Sequence, residues 1–211
     1  GPFANIAHGC NSVMATAAAL EYGDYAITEA GFGADLGAEK FYDIKCRKTG
    51  LQPDLTVLVV TLQALKMHGG VALEDIKEPN IAGMENGYWN LDKHVRNLQS
   101  FGQTVVIAFN KFATDTDEEI EVLRKHCEEM GCGFAVNSAF AEGGKGAVEL
   151  AELVVKTIDE RPSSPLYLAY GDDESVEKKI ESVAFILYGA GSVTLSDSAK
   201  AIIDEIKKLG A

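Results

Sequence analysis

The sequence predicts an α/β fold with a mostly parallel sheet and crossover helices. Two near-continuous apolar runs, Asp54 to Val60 and Thr104 to Phe109, have the β-branched character of strands covered on both faces. Amphipathic stretches with capping and glycine stop signals separate these runs from each other and from a short third strand, Phe134-Ala135-Val136. Strand, helix, strand, helix in chain order is the pattern of a parallel sheet.

The elements follow in order. Asn11 to Tyr22 is rich in Ala, Met, Val and Leu at helical spacing, and Gly23 stops it. Asp24 to Thr28 is a short apolar run entering a glycine cluster, which reads as a buried strand. Leu36 to Arg47 reads as a helix, with Gly50 and Pro53 beyond it. His68 to Asn86 is punctuated by glycine and proline and lacks periodicity. Tyr88 to Phe101 is amphipathic, with Leu91, Val95 and Leu98 on one stripe. Thr116-Asp117-Glu118-Glu119 opens a helix with a capping-box start, and that helix runs to Met130 before Gly131. Gly146 to Glu160 is a helix whose apolar set is Val148, Leu150, Leu153, Val154 and Ile158. Pro162-Ser163-Ser164-Pro165 reads as a linker, so residues 1–161 form one core domain and residues 162–211 the start of a second, α+β domain. The latter carries a helix at Ser175 to Leu187, a strand at Ser192 to Leu195 and a helix at Ser196 to Leu209.

Composition narrows the function classes. The 211 residues are 46% hydrophobic and 24% charged, which excludes disordered, collagenous and mucin-like chains. Lys and Arg number 19 against 32 Asp and Glu, a net charge of -13 that repels phosphate backbones and argues against a nucleic-acid binder. A local anion pocket of backbone N–H groups and a lysine or two stays compatible with that charge. No apolar run reaches membrane-span length, and no secretory signal pattern opens the chain. Cys10, Cys46, Cys127 and Cys132 make no CxxC pair, and His8, His68, His94 and His126 make no HExxH, so free thiols and no dedicated metal site are expected.

In open α/β sheets ligands sit beyond the carboxyl ends of the strands. Here Glu29 to Gly37, Asn110 to Asp115 and Asn137 to Gly146 follow strands, and all are glycine-rich, polar or both. Gly31 to Gly37 approaches a dinucleotide fingerprint with one residue too many, or is a tight turn. Glu29 after an apolar run resembles the switch region of phosphate-handling proteins, or is an exposed strand end. Phe112 beside a polar loop either stacks on a flat heterocycle or packs in the core. Phe140 stands next to the turn Gly143-Gly144-Lys145, which opens a helix and can hold an anion or serve as a plain connector. A Walker A loop, GxxxxGK[ST], is absent from these residues. His8 and Cys10 precede a helix, where such residues commonly cap or pack. The acidic residues Glu118, Glu119, Glu121, Glu128 and Glu129 read as solvated helix surface.

Several segments together resemble the formate–tetrahydrofolate ligase family: Gly1 to Ser12 (GPFANIAHGCNS), Thr28 to Phe41 (TEAGFGADLGAEKF), Lys45-Cys46-Arg47, Ala64 to Gly70, Asn110-x-Phe112 with Thr114 to Asp117, and Ala141 to Ala147 (AEGGKGA). The similarity spans essentially the whole chain in the family's own order. It implies a P-loop NTPase-like core and an ATP-dependent ligase of one-carbon metabolism. In that reaction ATP and formate give formyl phosphate, which N10 of tetrahydrofolate attacks to yield 10-formyltetrahydrofolate, ADP and phosphate. It further implies Mg²⁺, activation by K⁺ or NH₄⁺, a cytoplasmic homotetramer, and no membrane or nucleic-acid partner.

The resemblance places the pterin between Phe112 and Phe140, with Gly143, Gly144 and Lys145 completing that subsite. Phe140 stands where the family usually has tryptophan, and Ala113 where many members have proline. Asn5 and His8 are assigned to the formyl-phosphate end, Glu29 and Asp35 to the magnesium or ATP side, and Lys40 and Arg47 as charge partners. The family's Walker A loop precedes the stretch matched by Gly1 and a final segment follows that matched by Ala211. The chain is therefore expected to be an internal piece that does not turn over alone. The alternative reading is a non-catalytic folate- or nucleotide-binding module lacking the ATPase half.

Overall fold

The computed structural model describes residues 12–209; Asn5, His8 and Cys10 lie outside them. In chain order the helices and strands are α1 (Val13–Tyr22), β1 (Thr56–Val60), α2 (Leu62–His68), α3 (Ile81–Asn86), α4 (Tyr88–Ser100), β2 (Val105–Asn110), α5 (Asp117–Glu129), β3 (Gly133–Asn137), α6 (Val148–Glu160), α7 (Val176–Ile186) and α8 (Asp197–Lys208). Between α1 and β1 the chain is wound into π-helical turns at Ala34–Ala38 and Phe41–Cys46. The molecule divides into two compact units: residues 52–166, and the described residues up to Leu51 together with those from Tyr167 onward.

The first unit is the α/β body. Its sheet has the order β1-β2-β3, all parallel, with Thr56 opposite Val105 and Val106 opposite Gly133. Strand β2 is central, and Val106, Ile107, Ala108 and Phe109 are buried on both faces, as their unbroken apolar run requires. Phe109 stacks on Phe134 of β3, ring centroids 5.9 Å apart. Leu91, Val95 and Leu98 of α4 are all buried, so the stripe read from the sequence is the packing face. The capping box of α5 is present as expected: the Thr116 hydroxyl accepts the Glu119 N–H, and the Glu119 carboxylate accepts the Thr116 N–H. Residues 162–166 stay with this body, since the Ser163 N–H donates to the Asp54 carbonyl at 2.8 Å and the Leu166 N–H to Gln52 Oε1 at 2.9 Å.

Helix α2, unread in the sequence, is short and packs tightly against α3. A Cβ on Gly69 would fall 1.8 Å from the Gly83 carbonyl oxygen, and one on Gly87 2.0 Å from that of Leu65. The glycines of this stretch thus serve backbone-to-backbone contact, which erases the periodicity that marks a helix.

Three other expectations fail. Asp24 to Thr28 is not a strand: it pairs with nothing in the sheet, and Ile27 is 93% exposed. Ser192 to Leu195 is also irregular. An apolar run becomes a strand only when a neighbour accepts its ladder, and among the described residues neither run has one. Strand β1 is covered on one face only, because Val57 and Val59 are exposed.

In the second unit the Arg47 guanidinium joins the helical stretch to residues 170–172. It donates to the carbonyls of Asp43 (2.7 Å) and Tyr170 (2.6 Å), pairs with Asp43 and Asp172, and lies 4.7 Å from the centre of the Tyr170 ring. Ser12, Ser175 and Ser196 cap α1, α7 and α8 through their hydroxyls. Among the described residues no helix is long and apolar enough to cross a membrane.

Candidate functional site

The carboxyl ends of β2 and β3 are adjacent, and their final residues are tied side by side. Asn110 and Asn137 are register partners, and the Asn137 amide donates to Asn110 Oδ1 at 2.8 Å. The Lys111 N–H continues the ladder to the Asn137 carbonyl at 3.1 Å. Two loops leave this clip, and each carries one of the phenylalanines singled out by the sequence.

The first loop is a tight turn. The Asp115 N–H donates to the Phe112 carbonyl at 3.1 Å, while Asp115 Oδ2 accepts the Phe112 N–H at 2.8 Å. Burial pushes the Asp115 carboxyl up, against the Phe112 N–H and the Lys66 charge, which pull it down. Phe112 is 41% exposed. Lys111 reaches sideways to Asp117 at 3.0 Å.

The second loop closes on itself. The Ser138 N–H donates to the Gly146 carbonyl at 2.9 Å, and the Ala139 N–H to Asn137 Oδ1 at 3.1 Å. A Cβ on Gly146 would lie 2.5 Å from the Ser138 carbonyl carbon, so only glycine allows the closure. Phe140 rides on the single helical turn Ala139–Glu142 and is 100% exposed. Gly143 takes φ 62° to end that turn, and Gly144 and Lys145 follow in the 3₁₀ turn Gly143–Ala147 that leads into α6. Lys145 is exposed.

Phe112, Phe140, Gly143, Gly144 and Lys145 therefore belong to two neighbouring loops on one edge of one unit. Phe140 projects fully into solvent and Phe112 is partly exposed, at the rim where an open α/β sheet takes ligands. Exposed aromatic rings on braced loops suit the faces of a flat heterocycle, and Lys145 offers a cation beside them.

The other candidates stand on the second unit. Glu29 is exposed in irregular chain. Asp35 and Lys40 lie in the π-helical stretch, where the Asp35 carbonyl lies 3.5 Å from the Tyr188 hydroxyl that donates to it. Arg47 is held in the network already described. Among the described residues no group of three His, Cys, Asp or Glu side chains converges to hold a metal ion.

Two sets of buried charged groups escaped the sequence reading. Glu39 and Asp43 lie one helical turn apart and are both buried. Burial, then the Asp43 charge, raises the Glu39 carboxyl to about 7. Their i, i+4 spacing was the available signal. Glu119, expected on the solvated face of α5, is instead 1% exposed and lies 2.6 Å from the equally buried Lys66. The capping-box position marked its main-chain bond, but nothing local marked its ion pair.

Comparison with known proteins adds a family. The family model described as formate–tetrahydrofolate ligase matches residues 1–211. A formate–tetrahydrofolate ligase of Bacteroides fragilis is 66% identical over 210 residues, which is 100% of this chain and 38% of that protein. That of Bacteroides thetaiotaomicron is 65% identical over the same shares, and that of Porphyromonas gingivalis 59% identical over 98% of this chain and 37% of its own length. The chain thus spans less than two fifths of the length of the curated relatives it matches.

Proposed function

The chain belongs to the formate–tetrahydrofolate ligase family, and we propose that its α/β unit supplies the folate-gripping loops of such a ligase. The reaction of the whole protein joins formate to N10 of tetrahydrofolate at the expense of ATP. Formyl phosphate is the activated intermediate, and ADP and phosphate leave. The observation that carries this reading is the pair of exposed rings, Phe112 and Phe140, on loops clipped together by Asn110 and Asn137. Each ring offers a face to the pterin, and Lys145 attracts the carboxylates of the glutamate tail. Glu29, Asp35 and Lys40 serve the nucleotide end, with Asn5 and His8 at the formyl-phosphate end. Arg47 acts there as a brace for its own helical stretch. Among the described residues no three His, Cys, Asp or Glu side chains converge as a ready site for the Mg²⁺ implied by the family, and no step here runs through it or through the monovalent cation. A cytoplasmic homotetramer completes the proposal.

Calorimetric titration of the chain tests it. Tetrahydrofolate is expected to bind, and ADP is not, since no Walker A loop is present in these residues. Stacking of a flat ring on an aromatic side chain contributes roughly 1–3 kcal/mol. Phe112→Ala and Phe140→Ala should each weaken binding about tenfold or more, while Phe140→Trp should tighten it through its larger ring and N–H. Unchanged affinity in both alanine variants would discard the reading.

A further inference from the structure

Beneath the Phe112 turn lies a buried charge network that stacking by itself does not need. Lys66 Nζ on α2 sits 2.6 Å from Glu119 Oε1 on α5 and donates to the Glu78 carbonyl at 2.8 Å. Glu119 Oε1 also accepts the Asn80 N–H at 2.8 Å, and Oε2 accepts the Thr116 hydroxyl at 2.7 Å and its N–H at 3.3 Å. Thr116 directly follows Asp115, whose carboxylate accepts the Phe112 N–H at 2.8 Å. An unbroken chain of hydrogen and peptide bonds therefore runs from a carboxylate sealed in the core to the main chain of the exposed ring.

A buried ion pair is a weak device for stability, since apolar residues of similar volume commonly do as well. Its directional bonds instead fix geometry. Both Glu119 oxygens are engaged, and Lys66 is held at two acceptors, so the 115–116 segment has one position rather than several. A ring on a loop tip is otherwise free to reorient, and ordering it on binding costs affinity.

We propose that Glu119, held in place by Lys66, is a positioning residue that presets the Phe112 ring for a flat heterocycle. This rests on the reading of Phe112 as a folate contact. The test is tetrahydrofolate affinity of the chain, measured well below the melting temperature of each variant. Glu119→Gln should raise Kd about tenfold, and Thr116→Val, which removes both the hydroxyl's bond to the Glu119 carboxylate and the cap it gives the Glu119 N–H, severalfold; Thr116→Ser, which keeps both bonds, should restore wild-type affinity. In a Phe112→Ala background neither change should alter Kd further, because their effect passes through the ring.

Should Glu119→Gln fail to fold, the Thr116→Val and Thr116→Ser pair decides the matter. Wild-type Kd in the folded variants, or an equal added loss in the Phe112→Ala background, overturns the positioning role while leaving the aromatic site intact. Unchanged Kd in Phe112→Ala itself overturns the positioning role, and unchanged Kd in Phe140→Ala as well overturns the aromatic site.

Discussion

Replacing Lys66 with methionine is expected to destabilise the α/β unit by about 3–5 kcal/mol, the cost of stranding one member of a buried pair. Lys66 and Glu119 are both about 1% exposed, so no solvent takes over when the ammonium goes. Burial by itself pushes the Glu119 carboxyl up; the Lys66 ammonium, the Asn80 N–H and the Thr116 groups outweigh it and hold it below its ordinary 4.5. A carboxyl depressed in the folded state adds stability above its unfolded value, and that stability is lost as pH falls from 4.5 through the lower folded value. In Lys66→Met the counter-charge is gone, and a buried carboxylate must stay charged at a penalty or take up a proton. The single tryptophan, Trp89, lies on α4 of this same unit and reports its unfolding in urea. The double variant Lys66→Met, Glu119→Gln should recover much of the loss, since no lone charge is left inside. An unfolding free energy for Lys66→Met within about 1 kcal/mol of wild type would show the pair to be dispensable.

The second large effect concerns acid and base. Glu39 rises from 4.5 to about 7 through burial first and the Asp43 carboxylate next, with Lys40 opposing. Burial likewise raises Asp43, against the Ala169 N–H and the Arg47 charge. Between pH 4.5 and 7 the folded chain therefore holds a proton on Glu39 that the unfolded chain has released. The contribution to stability is full below pH 4.5 and disappears as pH climbs through 7, in total about 3 kcal/mol at 1.36 kcal/mol per pH step. Thermal melts followed by circular dichroism at pH 5, 6, 7 and 8 should show a falling midpoint for the unit that contains Glu39. Glu39→Gln, neutral at every pH, should flatten that slope and melt higher than wild type at pH 8. Parallel slopes in the two proteins would rule out Glu39 as the titrating group.

Much of this molecule is legible from neighbours a few residues apart. The β-branched run at 56–60 and the apolar run at 105–109 are strands, Leu91, Val95 and Leu98 face inward, and Thr116 with Glu119 caps α5, because periodicity and capping act within one or two turns. The two loops bearing Phe112 and Phe140 follow from where strands end. The same local rules misplace Asp24 to Thr28, whose composition suits a strand that has no partner. They also misjudge Glu119, whose acidic neighbours Glu118 and Glu121 do face solvent.

The sequence by itself determined the parallel α/β pattern, the family, and which residue types stand at the rim of the sheet. Only the tertiary structure decided that Phe140 is wholly exposed, that Asn137 ties its loop to that of Phe112, and that Glu119 is buried against Lys66. The reason is physical: hydrogen-bond capping and side-chain periodicity are local. Burial and ion pairing depend on which distant segments the folded chain brings within a few ångströms, and no short window of residues records that.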